Sequence, residues 1–200
     1  MNIAVFCSGN GSNFQAIADA VKRGAIREAS LALMVCDNPQ AFALERAKKE
    51  GIKSLLVERK NFGAKAEYEA EIIKSLEQEK IDLICLAGYM RLISPEFAKK
   101  YKYRILNIHP ALLPAFKGGQ GIKDALDYGV KVTGVTVHFV DEEMDHGPII
   151  LQRSLYISQE DTEDSLAGQI HEIEHQLYPE AIKLYAQGKL QIEGRKVRIT

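Results

Sequence analysis

The stretch "NIAVFCSGNGSNFQAI", residues 2–17, contains the pattern on which the fold assignment depends. An apolar run of strand length is followed by two glycines and then by a run with helical spacing. Phe14, Ile17, Ala18 and Val21 recur at i, i+3, i+4 and i+7, the spacing of one buried helical face. The stretch therefore predicts a buried strand, a tight glycine loop and a helix, in that order.

The same alternation continues through the first half of the chain. Strand, helix, strand repeated in this way predicts an α/β fold that is Rossmann-like, with a mainly parallel sheet and helices on both faces. The predicted strands are 2–7, 31–36, 54–57 and 82–86, and the predicted helices are 14–21, 39–49 and 65–78.

The second half has a different character. A strand ending at His109 leads into a loop rich in proline and glycine, which predicts irregular structure. Beyond it the sequence predicts a helix over 122–128, two longer strands, a helix with Thr162 as N-cap and a hairpin turning at Glu193-Gly194. Because no linker or repeat interrupts the chain, we expect one domain over 1–200.

Composition narrows the functional classes. Lys and Arg number 26 against 27 Asp and Glu, a net charge of −1, which lacks the cationic field of a nucleic-acid binder. The three cysteines lie in apolar runs without CxxC spacing, as reduced core residues of a cytoplasmic protein would. No charged leader or apolar stretch of membrane-spanning length is present, so we expect neither secretion nor a membrane anchor.

The glycine loop opens the first helix, where unpaired backbone N–H groups and the helix dipole favour an anion. Position 14 is phenylalanine where a dinucleotide fingerprint has glycine, and the Gly-Lys-Ser/Thr of a nucleotide triphosphate loop is missing, so a single phosphate is favoured. A tight turn with Ser12 or Asn13 as N-cap explains the motif equally well. Asp37 follows the second strand, where an acidic residue of nicotinamide enzymes binds a ribose hydroxyl. We favour the alternative that Asp37 and the Asn-Pro after it start the next helix.

Asn107 and His109 lie at the end of a buried strand, where ligands bind in open parallel sheets. In a strand both side chains face one side, so an amide and an imidazole are presented together. Asp145, in a later turn, is expected to pair with the imidazole, raise its pKa and favour its cationic form. For either residue taken alone, an ordinary buried histidine or a turn aspartate is the favoured explanation. The helical pair His171 and His175 lacks a metal-ligand pattern, so we expect no metal site.

Four stretches carry a family resemblance. "NIHPALLPAFKG", "LAGYMRLISP" and "VHFVDEEMDHGPIILQ" resemble hallmark segments of the formyltransferases that use 10-formyltetrahydrofolate. With "SGNGSNFQAI" at the front, the chain is similar to the phosphoribosylglycinamide formyltransferases from Asn2 to about Leu190. The resemblance implies the formyltransferase fold and a place in de novo purine biosynthesis.

The resemblance also implies a reaction. Asn107, His109 and Asp145 fall on the family's catalytic trio, which would transfer the formyl group of 10-formyltetrahydrofolate, the co-substrate, to the amine of glycinamide ribonucleotide. The amine would attack directly, and Asn107 and a protonated His109 would stabilise the oxyanion. The partners implied are small molecules, with neither nucleic acid nor membrane, and the expected state is a monomer or homodimer.

Binding residues are implied by the same likeness. The N-terminal half would hold the ribonucleotide and the C-terminal half the folate. The ribonucleotide phosphate site maps onto Gly11, Ser12 and Asn13, and Glu174 matches a carboxylate near the ribose or amine, although a solvated helix residue explains it too. The folate site maps onto Lys65, Met90, Arg91, Leu92, Ile93, Val140, Asp141, Glu142, Glu143 and Met144.

One segment departs from the family pattern. Relatives usually read Gly-Leu-His in the loop after Phe116, whereas this chain has Gly118-Gly119-Gln120-Gly121. The additional glycines and the missing histidine predict a more mobile lid.

Other functions are expected to fit less well. A methionyl-tRNA formyltransferase has a further C-terminal domain and a basic surface, and a formyltetrahydrofolate deformylase, which uses water as acceptor, has a preceding regulatory domain. A nucleotide-binding module without catalysis would need only the glycine loop, and it has no use for the trio.

Overall fold

The computed structural model describes residues 1–200, in two compact units, Met1–Arg91 and Leu92–Thr200. The expectation of one formyltransferase domain over 1–200 stays a prediction. No helix in either unit is both long and apolar enough to cross a membrane.

The first unit is a parallel α/β layer. Its strands lie in the order β3-β2-β1-β4, and every pairing between them is parallel. Its elements are β1 (Asn2–Cys7), α1 (Ser12–Lys22), β2 (Ser30–Cys36), α2 (Phe42–Glu50), β3 (Ser54–Leu56), a 3-10 turn (Arg59–Asn61), α3 (Lys65–Gln78) and β4 (Leu83–Leu86). The predicted α/β class is confirmed, and α3 has the predicted bounds.

Burial explains why these runs form a sheet. β4 and nearly all of β1 are buried, as expected for strands covered on both faces. Helix α1 buries Phe14, Ile17 and Ala18, three residues of its predicted apolar stripe. A fully buried large apolar side chain such as Phe14 or Ile17 contributes about 1.5–3 kcal/mol relative to exposure.

The second unit is built around antiparallel strands. Strand β6 pairs antiparallel with both β5 and β7, β9 pairs parallel with β7, and β8 with β9 forms the predicted hairpin. Its elements are α4 (Pro95–Lys100), β5 (Ile105–His109), α5 (Gly121–Tyr128), β6 (Val132–Phe139), β7 (Ile149–Tyr156), α6 (Glu163–Ala186), β8 (Leu190–Glu193) and β9 (Lys196–Ile199).

Helix α6 begins as its sequence predicts. The Thr162 hydroxyl accepts a hydrogen bond from the Ser165 backbone N–H at 3.2 Å, and Ser165 Oγ accepts one from the Thr162 N–H at 2.9 Å. The buried Tyr178 hydroxyl donates to the Leu106 carbonyl at 2.9 Å. This bond fixes α6 against the strand that ends at His109.

Candidate active site

Strand β5 presents Asn107 and His109 beside the loop that contains Asp145. Asn107 Nδ2 donates to Asp145 Oδ1 at 3.3 Å, and His109 Nδ1 lies 3.5 Å from Asp145 Oδ2. The two β5 residues are separated by one position, so the pleat places them on the same side. The structure therefore brings together the three side chains that the sequence singles out.

Asp145 is held as an ionised carboxylate. Burial opposes its ionisation, but contacts with His138 at 3.7 Å, with the Gly118 backbone N–H at 2.8 Å and with His109 outweigh burial and lower the Asp145 pKa. Its backbone is in the left-handed region, with φ 48°. The Gly118 N–H and the two imidazoles thus surround one negative charge.

His138 is a functional candidate that the sequence reasoning missed. It lies opposite Asn107 in the β5–β6 pairing, with its Nε2 3.2 Å from Asn107 Nδ2. Its Nδ1 lies 2.8 Å from the Phe139 carbonyl, which only accepts, so Nδ1 bears the proton and Nε2 accepts from Asn107. His138 and Asp145 thereby take both N–H bonds of the Asn107 amide and fix its orientation. The sequence signal for His138 is a histidine within the apolar strand "VHFV". Its pairing with Asn107 could not be predicted, because that pairing depends on the register between two strands.

Asp145 raises the pKa of His109 as predicted, but the net shift is in the opposite direction to the expected cationic form. The residue is only 3% exposed, and burial lowers its pKa below the ordinary value, outweighing the attraction of Asp145 and the Phe116 carbonyl. Nε2 lies 2.8 Å from that carbonyl, which can only accept, so Nε2 bears a proton. At neutral pH the imidazole is therefore neutral, with its N–H directed at Phe116.

The loop after β5 is bonded to two members of the trio. The Phe116 carbonyl accepts from His109, and the Gly118 N–H donates to Asp145. Phe116 has φ 51° and Gly118 φ 99°, so this approach depends on left-handed backbone at both positions. Mobility of this lid, expected from its glycines, stays a prediction.

The glycine loop differs in detail from the capping interpretation. Gly11 itself is the N-cap of α1, with φ 75°, and neither Ser12 nor Asn13 caps the helix, because both lie within its first turn. A Cβ on Gly11 would lie 2.7 Å from the Ala43 Cβ. Arg46 donates to the Asn10 carbonyl at 2.9 Å and to its side chain at 3.0 Å, which places a cation beside the loop. The loop thus combines a helix N-terminus with positive charge.

Replacing Gly11 with alanine is expected to destabilise the protein by at least about 1–2 kcal/mol, because the left-handed backbone penalises a Cβ and the methyl group overlaps Ala43. Chemical denaturation measures the change. Gly9 is the matched control, since a Cβ there meets nothing within 4 Å, and Gly9→Ala should stay within about 0.5 kcal/mol of the parent. Equal stabilities for the two variants would contradict this account.

Glu174 is not the solvated helix residue that the sequence also allowed. It is 5% exposed within α6, and it interacts with neighbouring groups. A carboxylate this buried requires partners, since an unpaired charge is costly to bury.

The residues matched to a folate site lie at several places in the chain. In the first unit, Lys65 lies 3.9 Å from Glu69, and Met90 is 70% exposed. In the second unit, Leu92 and Met144 are exposed and Ile93 is half-buried. The segment matched to folate between β6 and β7 consists of Val140, Asp141, Glu142, Glu143 and Met144, and Glu142 lies 3.8 Å from Lys99.

Arg91 pairs with Asp37, contrary to the helix entry favoured for that aspartate. Arg91 Nε donates to Asp37 Oδ2 at 2.6 Å, while α2 begins later, at Phe42. Both residues line a cavity of about 470 Å³ together with Arg59, Lys60 and Glu58. Asp37 Oδ1 is buried there without a hydrogen-bond partner. No cluster of three or more His, Cys, Asp or Glu is arranged to hold a metal ion.

Comparisons with known proteins identify the family. The formyl transferase family model matches residues 1–182. The chain is 49% identical to phosphoribosylglycinamide formyltransferase of Bacillus subtilis, over 90% of this chain and 92% of that protein. It is 42% identical to the trifunctional purine biosynthetic protein adenosine-3 of Drosophila melanogaster, over 93% of this chain but only 14% of that longer protein.

Solved structures agree. The crystal structure of glycinamide ribonucleotide transformylase 1 from Symbiobacterium toebii superimposes with a TM-score of 0.97 and 44% identity, covering 100% of this chain and 93% of that one. A formyltetrahydrofolate deformylase from Pseudomonas syringae has a TM-score of 0.92 at 21% identity, covering 99% of this chain and 65% of that one, a likeness of fold alone. The formyltransferase fold is therefore confirmed, and the chain belongs to the formyl transferase family of enzymes.

Proposed function

We propose that the chain transfers the formyl group of 10-formyltetrahydrofolate to the amine of glycinamide ribonucleotide, giving formylglycinamide ribonucleotide and tetrahydrofolate in de novo purine biosynthesis. The observation that carries the proposal is the contact of Asn107 and His109 with the Asp145 carboxylate, at 3.3 and 3.5 Å. The 49% identity to the Bacillus subtilis enzyme supports the choice of acceptor.

The chemistry needs no covalent intermediate on the protein. The amine attacks the formyl carbon, a C–N bond forms, and the carbonyl oxygen becomes an oxyanion. Asn107 and His109 would each exchange a resting acceptor of their N–H groups, namely His138 or Asp145 for Asn107 and the Phe116 carbonyl for His109, for that oxygen. Removing one such donor typically costs 10²–10³-fold in rate. Breaking the bond to N10 then requires the leaving nitrogen to take up a proton. His109 or a water would deliver the proton that the attacking amine loses.

A neutral His109 suits this sequence. Burial keeps the imidazole uncharged with a proton on Nε2, so it donates a hydrogen bond without bringing a fixed positive charge into the site. Asp145 attracts the proton that reaches the ring during the reaction, because its own pKa is low and it stays ionised. Asp145 therefore stabilises the imidazolium when it forms, rather than in the resting enzyme.

The ribonucleotide phosphate is assigned to Gly11, Ser12 and Asn13. This assignment is supported by the N-terminus of α1 and by Arg46 beside the loop. Glu174 would contact the ribose or the amine of the ribonucleotide, and its burial supports a specific role. The folate would contact residues 90–93 and 140–144, and Lys65 would attract the carboxylates of its tail without the forked geometry of an arginine.

The proposal includes the setting of the enzyme. Three buried free cysteines support a reducing compartment, and we propose the cytoplasm. The substrates are small molecules, without nucleic acid or membrane, and the proposed state is a monomer or homodimer.

Hydrolysis of formyltetrahydrofolate is the second candidate, supported by the shared fold with a deformylase. One assay separates the two. The protein is mixed with 10-formyltetrahydrofolate and either glycinamide ribonucleotide or water alone, and tetrahydrofolate release is followed. Release only with the ribonucleotide supports transfer, equal release in water supports hydrolysis, and no release with either leaves a binding module.

Inorganic phosphate is expected to inhibit competitively against glycinamide ribonucleotide, because one phosphate fills the site assigned to the ribonucleotide. Initial rates measured at several phosphate concentrations should show that phosphate increases the KM for the ribonucleotide and leaves kcat unchanged. Sodium chloride at equal ionic strength is the control. Inhibition that does not weaken as the ribonucleotide concentration is increased would contradict the assignment of the phosphate site to this loop.

A further inference from the structure

We infer that Arg195 is a positioning residue that holds the Asp145 loop in its working conformation through His146. The Asp145 loop denotes residues 140–148, between β6 and β7. The inference rests on the proposed function for the importance of Asp145, and it concerns a residue beyond position 182, where the family match ends.

Arg195 contacts both the backbone and the ring of His146. Its Nη2 donates to the His146 backbone carbonyl at 2.5 Å, and its Nη1 lies against the imidazole, 2.9 Å from Nε2 and 3.4 Å from Nδ1. His146 directly follows Asp145 in the chain. A guanidinium that binds the carbonyl and the ring of one residue restrains both the backbone and the side-chain torsions of that residue.

The contacts continue across the loop. The Asp141 carboxylate only accepts hydrogen bonds, so Nδ1, the His146 ring nitrogen that faces it, bears a proton. That proton is donated to Asp141 Oδ2 at 2.8 Å, while Asp141 Oδ1 accepts from the Glu143 N–H at 3.1 Å. Arg195, His146 and Asp141 therefore form a chain of hydrogen bonds that ties the end of the loop to its beginning.

The loop needs such a restraint. Asp145 has φ 48°, a conformation that an aspartate adopts at a cost. Glu142, Glu143 and Met144 are exposed, and the pair between Glu142 and Lys99 spans 3.8 Å at the surface, where such pairs are weak. Without the tie to Arg195, the segment between Asp141 and Asp145 keeps few contacts that select one conformation.

The hairpin is placed to provide this anchor. Lys196 of β9 pairs with Ile149, the first residue of β7, which directly follows the loop. Gly194, with φ 61°, turns the chain so that Arg195 precedes that pairing. The C-terminal hairpin thus serves as a support for the loop.

Arg195→Ala tests the inference, with Arg198→Ala as the matched control. Arg198 lies in the same hairpin and pairs at the surface with Glu193 at 3.1 Å, without contact to the loop. We expect Arg195→Ala to speed amide hydrogen exchange in residues 141–146 at least about tenfold, and to lower kcat about tenfold with the KM for glycinamide ribonucleotide within about twofold. Arg198→Ala should leave exchange and kinetics within about twofold of the parent.

A second variant separates positioning from folding. Arg195→Lys retains one donor to the His146 carbonyl but loses the fork, so it should recover part of the lost kcat. If Arg195→Ala does not fold, the exchange and kinetics of Arg195→Lys against Arg198→Ala decide the question. Equal exchange in the loop of the Arg195 and Arg198 variants would overturn the inference. Failure of the proposed function can be told apart from failure of this inference. In that case the unmodified protein would not use glycinamide ribonucleotide, whatever the rate of amide exchange in the loop.

Discussion

Replacing His109 with alanine is expected to lower kcat for formyl transfer by at least about 1,000-fold, because one side chain supplies an oxyanion donor and a route for the proton, effects of 10²–10³ and 10²–10⁴. The loss should appear in kcat and in kcat/KM for both substrates, since the lost interactions form in the transition state. Steady-state rates with saturating co-substrate measure it.

The fold should survive this substitution well enough to be tested. The deletion leaves a small polar space beside Asp145 and frees the Phe116 carbonyl, so some stability is lost, and circular dichroism and a thermal melt check that the chain is folded. His171→Ala is the matched control, because His171 is exposed on α6, and it should keep full activity. A folded His109→Ala protein with turnover within tenfold of the parent would refute the role given to His109.

Asp145→Asn is expected to reduce kcat about 100-fold or more, because a neutral amide no longer stabilises the imidazolium that forms during proton transfer. The shape is kept, but the amide presents donors as well as an acceptor to Asn107, His109 and Gly118. Asn107 would then lose part of its fixed orientation.

The same variant has a defined effect on titration. Burial lowers the pKa of His109, and the Asp145 carboxylate partly offsets that lowering. Removing the charge should therefore move the His109 midpoint further down, and the imidazole should stay neutral to lower pH. NMR of the imidazole during a pH titration measures the shift, with Asp127→Asn, a change at an exposed surface pair, as the control. A midpoint that is unchanged or higher in Asp145→Asn would contradict the electrostatic role.

Much of the fold follows from the local sequence. The run from Asn2 through the glycine loop has the spacing of a strand and then of a helix, and its repetition along the first half indicates a parallel α/β layer. The spacing within residues 65–78 also gave the full length of α3. The pairing of Asn107 with His109 on one side was also predictable, because the pleat of a strand depends on no other part of the chain.

What escaped prediction depends on tertiary structure. His138 faces Asn107 because of the register in which β5 and β6 pair, and the sequence of neither strand alone determines that register. The net lowering of the His109 pKa is not predictable from the sequence, because Asp145 is visible there, whereas the depth of burial that outweighs it is a property of the folded chain. Arg195 is 49 residues from His146, and its contact appears only when β9 is laid beside β7.

The bond between His109 and the Phe116 carbonyl makes this peptide group a competitor of the formyl oxygen for one proton. If this hydrogen bond contributes about 1 kcal/mol net, only about one sixth of the molecules have a His109 N–H free for substrate. Substrate binding must therefore shift an equilibrium within the protein as well as fill a site. Sequence changes at residues 117–121 that alter this equilibrium would tune apparent affinity without touching a substrate.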